Sequence, residues 1–303
     1  MMKDQGKRAA TFATERIGLI GLGLVGSALA ERLLAHGYAV VGYDIDPARS
    51  EALRSVGGEP AAGPAAVAER CTRILLSLMT TAIVRQVVEG EGGILAAARR
   101  PECLIDTTTG DPEETAALAE RLVDQGIAYL DAPISGSSEQ IRHRAGTFMV
   151  GGQREVFERC RELFAAFSDR VYYLGPSGTG SRAKLAGNLV LGLNRAALAE
   201  GLVLAERLGL DLPAFLEVLR HSPAYSVAMD AKGDRMLDGD FTPESRVRQH
   251  LKDLELILDY ARRAGQELPL GAVHRDLLVK AVAAGDGDLD NAAVIREIRR
   301  RHT

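Results

Sequence analysis

The chain has no tryptophan, and aromatic residues make up only 5% of its 303 positions. Its interior must therefore be built mainly from alanine, leucine and valine. A basic excess is also missing: the formal charge is −4 and the pI near 5.9. Nucleic acid and anionic membrane normally require a basic face, so neither is expected as the main partner. The basic run Arg299–Arg301 reads as a solvated helix end suited to the C-terminal dipole. Three cysteines, Cys71, Cys103 and Cys160, are odd in number and set in apolar surroundings. That suits buried thiols in a reducing compartment better than disulfide bridges or a metal cage. No run reaches the roughly 18 uninterrupted apolar residues of a membrane span. Residues 1–15 mix Lys3, Asp4, Lys7, Arg8 and Glu15 without an apolar core, so we expect a frayed N-terminus, no secretory signal and a cytoplasmic protein.

What is present falls into two patterns. From Arg16 to about Gly175 short apolar runs alternate with helical stretches, the order of a parallel sheet covered by helices. The predicted strands are 17–20, 39–43, 74–78, 104–107, 128–132, 147–150 and 171–174. The predicted helices are 24–35, 47–55, 82–88, 112–125 and 154–167. Beyond Pro176 the apolar period becomes 3.6 residues. Helices are predicted at 181–208, 212–221, 243–264, 271–284 and 291–301, the last with Asp290 as N-cap. The first of these would run about 40 Å and join two domains. Its Gly187, Gly192 and Gly201 read as close-packing sites. The expected organisation is an α/β Rossmann dinucleotide-binding domain at 16–176 and an all-α domain at 177–303, joined by that long interdomain helix.

Gly21, Gly23 and Gly26 stand in G-x-G-x-x-G spacing directly after a predicted strand and at the start of a predicted helix. Such glycines permit a tight turn, approach of a pyrophosphate to the backbone, and close helix–strand packing, with the helix N-terminus facing the phosphates. A second strand ends in Asp44, where a carboxylate can accept both ribose hydroxyls. Asp44 and Asp46 would repel a 2′-phosphate, and the next arginine is Arg49, so NAD is expected over NADP. The cofactor-binding residues on this reading are Gly21, Leu22, Gly23, Leu24, Val25, Gly26, Asp44 and Ile45.

Two later segments add chemistry: DAPISG at Asp131–Gly136 and GTGSRAKLAGN at Gly178–Asn188. With DTTTGDP at Asp106–Pro112 and LKDLEL at Leu251–Leu256, they occur in the order of the 3-hydroxyisobutyrate (3-hydroxyacid) dehydrogenase family, which the chain resembles from about Arg16 to its end. Reduction of a carbonyl needs a proton donor and oxidation of the alcohol a base; Lys184 can serve both, given a pKa lowered by apolar neighbours. Lys184 and Asn188 are four apart, hence on one helix face, where the amide can orient substrate or ammonium. Ser135 and Gly136 follow a strand's C-terminal end, and a hydroxyl with free backbone N–H groups suits a substrate carboxylate. The resemblance also implies that Met79, Thr80, Thr108 and Thr109 line the cofactor and that Lys252 closes over it. It implies a small hydroxy acid as substrate, interconverted with its semialdehyde or keto form. A homodimer or homotetramer through the helical half is expected from the apolar surface there.

Departures from the family pattern concern the substrate more than the reaction. Ser137 replaces a second glycine, the following SSEQIRHRA is bulky and charged, and Met79-Thr80 stand where Leu-Pro is common. Alternatives are a 6-phosphogluconate dehydrogenase, an imine reductase, or an inactive nucleotide-binding scaffold. The first carries an acid seven residues beyond the lysine, where this chain has Leu191. The second usually lacks the lysine, and the third should have lost it.

Overall fold

The computed structural model describes residues 15–300; the expected frayed N-terminus, but for Glu15, and Arg301 lie outside them. The chain forms two compact units that divide after Lys184. The apolar period changes at Pro176, and the division falls later because the first turns of the long helix are hydrogen-bonded to the sheet of the first unit.

In the first unit the order is β1 (Arg16–Ile20), α1 (Leu24–Ala35), β2 (Ala39–Tyr43), α2 (Pro47–Ser55), β3 (Glu59–Pro60), α3 (Pro64–Ala68), β4 (Arg73–Leu76), α4 (Thr81–Glu89), β5 (Cys103–Asp106), α5 (Pro112–Val123), β6 (Ala128–Asp131), β7 (Ile134–Ser135), α6 (Ser138–Arg142), β8 (Thr147–Gly152), α7 (Arg154–Phe167) and β9 (Val171–Gly175). Six strands lie parallel in the order β3-β2-β1-β4-β5-β6, the Rossmann arrangement, with its switch point between β1 and β4. β8 then runs antiparallel to β6 and β7, and β9 lies parallel to β8. The sheet is therefore mixed rather than all-parallel, because the chain reverses between β7 and β8, in the segment that carries α6, with no crossover helix to bring β8 back parallel to β6. The central strands β1, β2, β4, β5 and β6 are mostly buried, with helices covering both faces: Leu29, Leu33, Phe164 and Phe167 on one side, Val67, Val84 and Leu118 on the other.

The second unit contains α9 (Leu212–Arg220), α10 (Val227–Asp238), α11 (Val247–Arg263), α12 (Pro269–Ala281) and α13 (Val294–Arg300); the chain enters it through α8 (Thr179–Arg207). Length and composition would let α8 cross a membrane, yet its Leu185, Leu198, Ala199, Leu202 and Val203 sit in this unit's core. Asp290 caps the final turns as its position suggested, accepting from the Ala292 N–H at 3.0 Å, and is also fully buried against Lys232 at 3.0 Å.

Several expectations need correction. The pattern missed β3, α3, β7, α6 and α10, mostly elements too short to show a period. α11 begins at Val247, four residues later than expected, because Arg246 is held extended in an isolated bridge to Asp290. Of the three glycines on α8, only Gly192 is a close-packing site. A Cβ there would press into the His250 and His274 rings, whereas at Gly187 or Gly201 it would meet no described atom within 4 Å.

Candidate active site

The last residues of five neighbouring strands form one row: Tyr43, Ile20, Leu76, Asp106 and Asp131 are paired across β2, β1, β4, β5 and β6. Backbone bonds continue the row, from Gly21 to the Tyr43 carbonyl, Ser77 to Ile20, Thr107 to Leu76 and Ala132 to Asp106, all between 2.7 and 2.9 Å. Whatever follows these strands is thus delivered to a single edge. This is the carboxyl edge where open α/β sheets bind ligands, and it gathers Gly21–Gly26, Asp44, Ile45, Met79, Thr80, Thr108, Thr109, Ser135 and Gly136.

The glycine turn fits a dinucleotide. Gly21 has φ +93°, and a Cβ there would run into the Ser77 carbonyl. At Gly26 it would run into the Gly21 carbonyl. Gly23 is different: its Cβ direction is open except for Arg49, leaving the backbone approachable. Asp44 is nearly buried; its Oδ2 accepts from the Leu22 N–H at 2.7 Å and its Oδ1 from the Asp46 N–H at 2.9 Å. Leu24, Ile45 and Met79 leave large apolar side chains exposed around this turn, Ile45 at 88%, as suits faces meant for a flat ring.

Two of the threonines hold the edge in shape. The buried Thr108 receives the Leu78 N–H on its hydroxyl at 3.1 Å and donates its own N–H to Asp106 Oδ1 at 2.9 Å. Thr80 caps α4 through the Ile83 N–H. Thr109 is half-buried. Beneath them Asp106 is sealed with the Tyr129 hydroxyl, which donates to Oδ2 at 2.5 Å. Burial lifts the Asp106 carboxyl to about 6, despite hydrogen bonds from Thr108 and Tyr129 that pull it down.

Asp131 is the first residue of the DAPISG segment, and its role is not apparent from the sequence. It accepts from the N–H groups of Gly178 and Ser181, both at 2.8 Å. The carboxylate at the end of β6 therefore caps the helix that carries Lys184, satisfying donors that a helix start leaves unpaired. An aspartate four residues before a proposed substrate serine, with a glycine-flanked helix start elsewhere, was the available signal.

Ser135 is half-buried on β7, and Gly136 follows at φ +150°. Ser137 starts a short helix the sequence did not suggest: its hydroxyl accepts the Gln140 N–H, and its own N–H donates to Gln140 Oε1 at 2.8 Å. The arginines of SSEQIRHRA are held in ion pairs. Arg142 forms a two-pronged pair with Glu31 on α1, and Arg144 pairs with Asp169. Lys184 is half-buried in the second turn of α8. Asn188, buried, and Lys252, with its ammonium 3.5 Å from Asp253, belong to the second unit.

Residues 16–175 match the family model described as the NAD binding domain of 6-phosphogluconate dehydrogenase. Residues 178–298 match the one described as NAD-binding of NADP-dependent 3-hydroxyisobutyrate dehydrogenase. An L-threonate dehydrogenase from Cupriavidus necator is 34% identical over 93% of this chain and 96% of its own. The mitochondrial 3-hydroxyisobutyrate dehydrogenase of Homo sapiens is 31% identical over 95% of this chain and 88% of its own. A crystal structure of 3-hydroxyisobutyrate dehydrogenase from Salmonella typhimurium superposes with a TM-score of 0.84 at 29% identity, covering 93% of this chain and 99% of that one.

Proposed function

The chain belongs to the 3-hydroxyisobutyrate dehydrogenase family and is an NAD(P)-dependent 3-hydroxyacid dehydrogenase, and on that premise we propose that it interconverts a small 3-hydroxy acid and its semialdehyde or keto form with Lys184 as general acid and base. The nicotinamide, when bound, supplies or accepts the hydride. In the reducing direction the Lys184 Nζ gives a proton to the carbonyl oxygen as negative charge develops there; in the oxidising direction it takes the hydroxyl proton. The Ser135 hydroxyl and the Gly136 N–H hold the substrate carboxylate, and Asn188, one turn beyond the lysine, orients the reacting oxygen. NAD is the preferred cofactor, because Asp44 stands at the end of β2, where it accepts ribose hydroxyls and repels a 2′-phosphate.

The observation that carries this reading is the cap: Asp131 ties the strand leading to Ser135 to the first turn of the helix bearing Lys184. The relatives act, by their names, on threonate, hydroxyisobutyrate and 2-hydroxy-3-oxopropionate, so the substrate lies among short polar hydroxy acids. Val190, Leu204 and Val218 are exposed apolar residues of the second unit, and a homodimer or homotetramer formed there is the assembly we infer.

The test is an NAD and NADP assay over a panel of such acids with Lys184→Ala beside the wild type. Turnover should fall about 10²–10⁴-fold while NADH binding, read by its fluorescence, persists. Retained turnover overturns the role of Lys184; absent turnover in the wild type with intact NADH binding points instead to a nucleotide-binding scaffold.

A further inference from the structure

Arg49 sits in the third position of α2 and reaches back over the end of β2. Its Nη1 lies 3.3 Å from Asp44 Oδ2 and its Nε 3.5 Å from Asp46 Oδ2. The same Nη1 is the nearest described atom to the Cβ direction of Gly23, at 3.7 Å. One guanidinium therefore bridges both acidic groups that would discriminate against a phosphorylated ribose, and does so beside the phosphate-binding turn.

The hydrogen-bond count at Asp44 sharpens the point. Oδ2 already takes the Leu22 N–H and Arg49, and Oδ1 takes the Asp46 N–H. A carboxylate offers about four acceptor positions, so one is left, whereas a ribose presents two hydroxyls. Arg49 must release Oδ2 before Asp44 can receive both. Its side chain is half exposed, while that of Asp44 is 5% exposed, so the arginine is the member of the pair that can move. An open recess of about 370 Å³ lies next to Asp44, walled by Ile45, Pro47, Ser50 and the ion-paired Glu51 and Arg54, and leaves room for an added phosphate.

We propose that the Asp44–Arg49 pair, and not Asp44 alone, sets the choice between NAD and NADP: Asp44 selects the free 2′-hydroxyl, and Arg49, once released, is the ready-made ligand for a 2′-phosphate. The pair leaves the enzyme one substitution away from NADP. This rests on the reading of the strand edge as a nucleotide site.

Calorimetric titration of the whole protein with NAD⁺, NADP⁺, ADP and adenosine 2′,5′-bisphosphate tests it without relying on turnover. Asp44→Asn should lower the ratio of the NADP⁺ to the NAD⁺ dissociation constant at least tenfold, and Arg49→Ala in the Asp44→Asn background should restore it, since a charge-assisted arginine–phosphate contact is then lost. Arg49→Ala alone should raise the ratio several-fold. Adenosine 2′,5′-bisphosphate against ADP should repeat the pattern. An Asp44→Asn gain that survives loss of Arg49 overturns the proposal. So does an Arg49→Ala loss equal for all four ligands, which would mark the arginine as a pyrophosphate contact. If the wild type binds none of them, the nucleotide reading of the edge fails instead.

Discussion

The Asp131 carboxylate accepts the Ser181 N–H at 2.8 Å with one oxygen and the Gly178 N–H at 2.8 Å with the other. Three residues beyond Ser181 on the same helix stands Lys184. Two stretches nearly fifty residues apart in sequence, one carrying the proposed carboxylate-binding serine and one the proposed proton-transfer lysine, are thus joined by a single buried side chain.

Removing that link should cost both stability and rate. Asp131→Ala strands two buried N–H groups at a helix start, which is worth about 1–3 kcal/mol. Asp131→Asn keeps one acceptor and should recover part of it. The rate constant kcat should fall by more than KM changes, since the cap places Lys184 and does not touch substrate, and nucleotide affinity should hold. Denaturant midpoints with steady-state kinetics check this; unchanged kcat in a destabilised Asp131→Ala protein would make the cap structural only.

The Rossmann half was legible because its strands are nearly continuous apolar runs and its helices begin at recognisable caps. α1, α2 and α7 fall at the expected residues, helped by Gly23 and by Asp46 before Pro47. What stayed hidden are relationships that no local spacing encodes. Nothing in the order of residues says that Asp131 would reach the start of α8, or that Arg49 would fold back over Asp44. Nor could periodicity separate Gly192 from Gly187 and Gly201. All three occupy one helix, and only the rings of His250 and His274, from other helices, decide which of them needs the absent side chain.

Those glycines make a paired prediction. Gly187→Ala and Gly201→Ala fill space that is empty among the described residues, so each should stabilise by up to about 1 kcal/mol through the lower entropy of the unfolded chain. Gly192→Ala must displace buried imidazoles and should destabilise by about 1–3 kcal/mol. Urea midpoints of the three variants suffice. A loss at Gly201 would mean that a second copy of the chain packs there, which the sedimentation behaviour of that variant would reveal.

Substrate choice should respond to Gln140. Its side-chain carbonyl accepts the Ser137 N–H, the backbone donor that follows Ser135 and Gly136 in the chain. Gln140→Ala frees that donor, and KM for a hydroxy acid should fall severalfold while NAD⁺ affinity is unchanged. A rise in KM would show that the amide itself contacts substrate.

The two units should answer acid in opposite ways. Burial raises Asp106 from its ordinary 3.8 to about 6 in the folded protein, with Tyr129, Thr108 and the Asp131 carboxylate around it. Between pH 3.8 and 6 the folded state then holds the extra proton, so this group's contribution falls as pH rises, by roughly 3 kcal/mol in all. His274 in the second unit goes the other way. Burial, reinforced by the neighbouring Arg195, lowers it from 6.5 to about 4. Between pH 4 and 6.5 the unfolded chain holds the extra proton, and stability climbs with pH by a similar amount. The wild type should therefore show a shallow dependence from pH 4 to 6, the product of two steep and opposed ones. Asp106→Asn should expose the rising limb and His274→Gln the falling one, each measured by urea unfolding at half-unit pH steps. If both variants keep the wild-type profile, the two groups are not what shapes its acid response.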